Sequence, residues 1–443
     1  MAKAESIAKV GSVQPEVHHT KARDRVPGLV ASFDGSTHRR DTMPIGDPTY
    51  SDDESDLSDY AGIDDEIGFD FNFRMPIDGL TASVGAPPNA RGGAGALRGD
   101  VADESAERAE PLNLLREVLV CNDGHGRPQC GRFNRDGTLF AYGCDDGTVH
   151  AFQVDTGHRT GAVFRPGADQ PPGVCTALRF LPTGDNANVV IVAGSNGVVR
   201  HWHATSGKSL GAPIVEADNG VFALDVRSDG GTFATAGRDG GVRVYDERIG
   251  KLVVCLRGGT DAEETDVFPG HGNRVFGLRY LDACADVLVS GGWDNTLRVW
   301  DARVADGRSV ASFTGPQVCG DAIDVAPDET NGSARVLVAS WRERDAVQVW
   351  DVRGGTVTVD VPFGAVSGRK KCTPYAARWA PEGGVAYVGG SGSCEFRAVD
   401  AGTKKTLGRC AFSEGGAVHA IDVSGGLVGV TCADGVRVYE AAR

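Results

Sequence analysis

His271, Ser290 and Asp294 are residue types from which a nucleophilic hydrolase is built: an oxygen to attack, an imidazole to take its proton, a carboxylate to orient the ring. Such a serine needs a strained, exposed elbow, commonly G-x-S-x-G, and Ser290 sits instead in "VLVSGGWDN" (287–295). Other candidates for chemistry are weaker. "SGKS" (206–209) has the tail of a phosphate-binding loop, but Trp202 occupies the place of the first glycine. "GHGRPQ" (124–129) and "GHGNRV" (270–275) lack the third glycine of a dinucleotide loop. His201 and His203 share one face of a strand, as two metal ligands would, without an evident third. No cluster of His or carboxylates stands out on other strands, so neither a catalytic residue, a metal nor a cofactor is assigned.

The elements that carry these residues are short. Glycine, 62 of 443 residues, is about twice its usual ~7% share and implies many tight turns. Eleven cysteines are scattered without a C-x-x-C pair, which suits reduced thiols in the cytoplasm or nucleus. "MAKAESIAKV" lacks the apolar core of a secretory signal, and no apolar run reaches the ~18 residues of a membrane span. The expectation is a soluble intracellular protein. Its net charge of −15 is uneven: residues 1–110 hold 11 bases against 21 acids. "SDDESDLSDYAGIDDEIGFD" (51–70) has nine acids and no base, which predicts a disordered arm over 1–110. The acidic balance argues against general binding of nucleic acid.

From about residue 111 a repeat takes over. An apolar–x–apolar–aromatic run ends at Phe152, Trp202, Tyr245, Trp300 and Trp350, then at Val399 and Tyr439, with spacings of 40–55 residues. An acid follows in five copies: Asp246, Asp301, Asp351, Asp400 and Glu440. Each unit reads as an alternating strand ("RVFGLRYL", 274–281), a small-residue strand ("VLVSGG", 287–292), an Asp/Gly turn, the aromatic-ended strand, and a fourth strand ("GKLVVCLRG", 250–258). Four strands per unit make one blade of a propeller.

The period, the Trp-Asp ends and Gly270-His271 some thirty residues before Trp300 resemble the WD40-repeat family over residues 111–443. The resemblance implies an all-β, seven-bladed propeller. It implies also that His271, Ser290, Asp294 and Trp300 form a structural hydrogen-bonded chain, with Thr235 and Asp239 in blade three and Asp146 in blade one as partial copies. The last unit stops after its third strand, so "LLREVLVCN" (114–122) is expected to supply the fourth and close the ring.

Function then moves to the surface. Turns after the second strand and connections entering each blade share one end of the ring. Arg342 and Arg344 on blade five and Arg369, Lys370 and Lys371 entering blade six would offer a basic rim to an acidic or phosphorylated protein partner. Trp293, Arg238 and Arg274 are the types found at interface hot spots. Ser51, Ser55 and Ser58 lie in acidic contexts resembling casein-kinase sites, and "IGFDFNFRMPI" (67–77) alternates apolar anchors as an added strand would. The sequence thus points to a non-catalytic protein-interaction scaffold, a subunit or adaptor of a larger complex; a phosphopeptide reader and a propeller enzyme are the alternatives.

Overall fold

Short alternating strands need apolar faces to pack against, and the chain meets that need by stacking sheets around an axis. The computed structural model describes residues 115–121, 126–164, 173–182, 184, 187–257, 270–282, 284–304, 306–326, 334–342, 344–364, 371–412 and 416–442. Among them are twenty-eight strands and no α-helix. The strands form seven four-stranded antiparallel sheets. Successive blades begin on inner strands Pro128–Phe133, Cys175–Phe180, Val221–Val226, Val275–Leu281, Ile323–Val325, Thr373–Trp379 and Val418–Ser424.

The core lies between blades. Leu139, Ala141 and Val149 of blade one pack with Leu178, Val190 and Trp202 of blade two. Ala234 and Val244 of blade three pack with Leu278, Leu288 and Trp300 of blade four. Trp202 and Trp300 are wholly buried, and truncating such a side chain costs about 3–5 kcal/mol. Trp202 and Trp300, at the ends of their third strands, are therefore inter-blade wedges.

The ring closes as expected. Leu115–Cys121 pairs antiparallel with Gly435–Ala441, from Leu115 opposite Ala441 to Cys121 opposite Val436. The Tyr439 hydroxyl donates to Glu117 (3.1 Å), tying the two ends of the chain by side chains as well.

Blade five breaks the repeat. In the six other blades the first two strands shift register once near the start, at Pro128/Cys130 and its equivalents. Blade five has only three inner residues in strand form, and residues 315–322 run as an irregular strap in place of the rest. Val318 of this strap is fully buried. It fits because Gly277 and Gly291 carry no side chain: a Cβ on Gly291 would lie 2.8 Å from Val318 and one on Gly277 2.7 Å from Ile323.

Candidate functional site

In blade four, adjacent strands and their inbound loop bring the suspected triad together as a chain of hydrogen bonds. The Trp300 indole N–H donates to Ser290 Oγ (2.7 Å), Ser290 meets His271 Nε2 (2.6 Å), and His271 Nδ1 meets Asp294 Oδ2 (2.9 Å). A neutral imidazole satisfies every step: Ser290 donates to Nε2, and Nδ1–H donates to the carboxylate. Asp294 also accepts from the backbone N–H of Gly272 (3.1 Å) and Thr296 (3.1 Å). Burial lowers the His271 pKa against the opposing pull of Asp294, so the ring stays neutral. Burial would raise the Asp294 carboxyl, but the His271 hydrogen bond and charge, with Thr296 and Gly272, outweigh it and hold the carboxyl down at about 2. Ser290 has no exposed surface, and its oxygen is engaged on both sides. A sealed hydroxyl cannot attack a substrate.

The partial copies use other chemistry. In blade three the place of the missing histidine is taken by Glu216, which the repeat pattern did not flag. Glu216 accepts from Thr235, from Tyr245 Oη (3.0 Å) and from Asn219 Nδ2 (2.6 Å), and Arg243 lies 3.3 Å away. Burial, then the Glu216 charge, pushes the Tyr245 hydroxyl up, keeping it a donor. The Asp239 carboxylate reaches that network only through Arg243 (3.2 Å) and also accepts Gly241 N–H (3.0 Å). In blade one Asp146 holds the Thr148 hydroxyl (2.6 Å), which meets His150 (3.0 Å). In blade five Trp350 buries its indole nitrogen with no acceptor among the described residues.

The inner strands carry a regular charge pattern that the sequence reading did not mark. Equivalent positions of the seven inner strands carry, in ring order, Arg132, Arg179, Asp225, Arg279, Asp324, Arg378 and Asp422. Arg179 bonds Asp225 (3.0 Å), Arg279 bonds Asp324 (3.2 Å), and Arg378 lies 3.6 Å from Asp422. Each arginine donates to the carbonyl before it, at Gly131, Leu178, Leu278 and Ala377. Asp422, Asp225 and Asp324 accept the backbone N–H of Phe133, Tyr280 and Trp379 in the following blade (2.8–2.9 Å). The repeated tripeptides "GRF", "LRF", "LDV", "LRY", "IDV", "ARW" and "IDV" held this signal. A search for ligand-type residues misses it because arginine ligates no metal.

The surface residues divide. Arg274 stacks on Trp293 (5.4 Å to the ring centroid). Trp293 packs on Phe276 (5.2 Å), and Phe276 stacks on Phe222 (4.9 Å, 9°). The Trp293 indole donates to Cys319 Sγ (3.0 Å). Arg238 is exposed beside an open cleft of about 340 Å³, lined also by Asp239, Arg257 and Gly270 to Asn273. Arg342 donates to the Gly315 carbonyl and lies 3.8 Å from Asp345, so its charge is engaged within the fold; Arg344 is exposed and Lys371 half-buried. Arg369, Lys370, Ser51, Ser55, Ser58 and the 67–77 segment lie outside the described residues. His201 lies 3.6 Å from Glu247, and His203 meets Ser206 (2.8 Å). Among the described residues no three metal-capable side chains gather, and no helix is long and apolar enough to cross a membrane.

Seven stacked sheets, wedged by third-strand aromatics and pinned by a buried Trp–Ser–His–Asp chain, define a repeat propeller whose apparent triad is scaffold. WD40 repeats are found in the chain: the family model described as "WD domain, G-beta repeat" matches residues 211–246 and 262–301, the third and fourth units of the seven-bladed propeller. It is similar to a LEC14B homolog of Prunus armeniaca, 23% identical over 271 residues covering 55% of this chain and 51% of that one. It is similar also to the cell division cycle 20.1 cofactor of the APC complex (26% over 168 residues; 38% and 32%) and to a guanine nucleotide-binding protein subunit beta (28% over 148 residues; 32% and 38%), both of Arabidopsis thaliana. The chain thus spans about half or less of the length of these relatives.

Proposed function

We propose that this propeller is a non-catalytic interaction module, a subunit or adaptor that receives a protein partner on the end of the ring carrying Trp293, Arg274 and Arg238. The carrying observation is the Arg274–Trp293–Phe276–Phe222 stack. It places a half-exposed, pre-ordered tryptophan under a guanidinium, the composition that concentrates binding energy at interfaces. Antiparallel strands put the turns after second strands and the inbound connections at the same end, so Arg238, Trp293 and Arg344 share it with Arg274 and Lys371. Two similar proteins carry names that place them in assemblies, as a cofactor of a complex and as a subunit. The sealed Ser290 favours this reading over an enzyme. Arg344, with Lys371, supports an acidic or phosphorylated partner at the neighbouring rim.

Affinity capture tests the proposal by comparing the intact chain with Trp293→Ala/Arg274→Ala, with Arg344→Glu/Lys371→Glu, and with Arg353→Glu at the opposite end. Loss of the same partner from the Trp293 variant, with retention by Arg353→Glu, is the expected result. Equal capture by all four chains would overturn it, and loss confined to the Arg344 variant would move the site to the basic rim.

A further inference from the structure

Seven is odd, so a ring that alternates positive and negative residues cannot close without one like-charge neighbour pair. Here that pair is Arg132 and Arg179, in blades one and two, and the inner strands alone supply four arginines against three aspartates. The missing carboxylate comes from outside the repeat, on the strap of blade five. Asp321 Oδ2 is gripped by Arg132 and Arg378, while Oδ1 lies 3.3 Å from Arg279 and 3.5 Å from Arg179. One carboxylate therefore meets all four guanidiniums. Their side chains are only 5–12% exposed, so each is poorly hydrated and depends on a carboxylate partner.

We propose that Arg132, Arg179, Arg279 and Arg378 form an oxyanion-binding site in the central channel, for which Asp321 is the built-in ligand and for which a free small carboxylate is the matching external one. Four converging guanidiniums with both carboxylate oxygens doubly held is how a carboxylate is bound, and planar forks select that shape over a spherical anion. The strap ties this site to the outer face. Its Gly315 carbonyl holds Arg342, its Cys319 accepts from Trp293, and its Asp321 carbonyl accepts from Ala377 N–H (3.2 Å). Releasing Asp321 from the arginines should loosen Cys319 at the far end of the same strap.

Thermal melts and cysteine alkylation mapped by mass spectrometry test this on Asp321→Ala, Asp321→Asn and, as a control, Asp351→Ala at the half-buried end of the third strand of blade five, away from the four arginines. Each is measured in sodium formate and in sodium chloride of equal ionic strength. The expected result is a lowered Tm and several-fold faster Cys319 alkylation in Asp321→Ala, both largely reversed by formate and not by chloride. Asp321→Asn, whose amide fills the space, should be lowered without rescue, and wild type and Asp351→Ala should not distinguish the salts. If Asp321→Ala is insoluble, its refolding yield in formate against chloride reads the same quantity. Indifference of Asp321→Ala to the choice of anion, or a wild-type Tm in both Asp321 variants, would refute the proposal.

Discussion

At the scale of the residue, one constellation means different things according to whether its atoms are free. His271, Ser290 and Asp294 have the types of a catalytic triad, but Ser290 is buried between the Trp300 N–H and His271, and burial lowers the imidazole pKa. This sets a pH dependence. In the unfolded chain His271 protonates below about 6.5, while in the folded chain its pKa is lower, so the unfolded state binds the extra proton and stability falls as pH falls. The Asp294 contribution is present above its unfolded value of 3.8 and is lost as pH drops toward about 2. Replacing His271 by Ala should therefore cost roughly 1–3 kcal/mol at pH 7 through the unpaired Ser290 and Asp294. Denaturant melts should show the gap from wild type narrowing between pH 7 and 5; a constant gap would mean that the ring titrates alike in the folded and unfolded chain, and a widening gap that it is charged in the fold. The chain of four was legible through the resemblance of blade four to the WD40 family, whose motif it alone carries complete. Glu216 was not, since a lone glutamate in a connection carries no mark of burial, and only the vacancy at the histidine position hinted that another group must satisfy Thr235 and Tyr245.

At the scale of the element, periodicity made the strands readable and irregularity hid what interrupts them. Leu115–Cys121 could be assigned to blade seven because the last unit lacked a fourth strand, and the pairing with Gly435–Ala441 follows from that debt of backbone hydrogen bonds. Removing residues 1–110 is expected to leave the Tm unchanged. Removing 1–121 should lower it and cause aggregation in light scattering, because the last strand becomes an open edge; identical melts for the two truncations would show that the closing strand contributes nothing. The strap at 315–322 is the opposite case. "FTGPQVCGDAIDV" (313–325) stands out in the sequence, yet its purpose depends on contacts with blades four and six, which no local pattern encodes. The arginine–aspartate positions lay in plain view in seven tripeptides, and reading them required asking for pairs of opposite charge rather than for ligands.

At the scale of the whole molecule, the channel and the outer face divide the labour. Two unit charges about 4 Å apart attract by roughly 4 kcal/mol at an effective dielectric near 20, comparable with the several kcal/mol needed to desolvate each ion. The ring of charges thus adds little net stability, while removal of one member would leave buried charge unpaired. With Ser290 sealed, the proposed receiving surface is the arginine–aromatic stack at one end of the ring. The most direct test of that assignment is hydrogen–deuterium exchange on the propeller alone and in complex with the partner isolated by capture. Binding is predicted to slow exchange at 236–241, 271–276 and 291–296 and to leave the turns at 135–138, 154–158, 227–231 and 352–355 unchanged. Protection confined to those opposite turns would contradict the account.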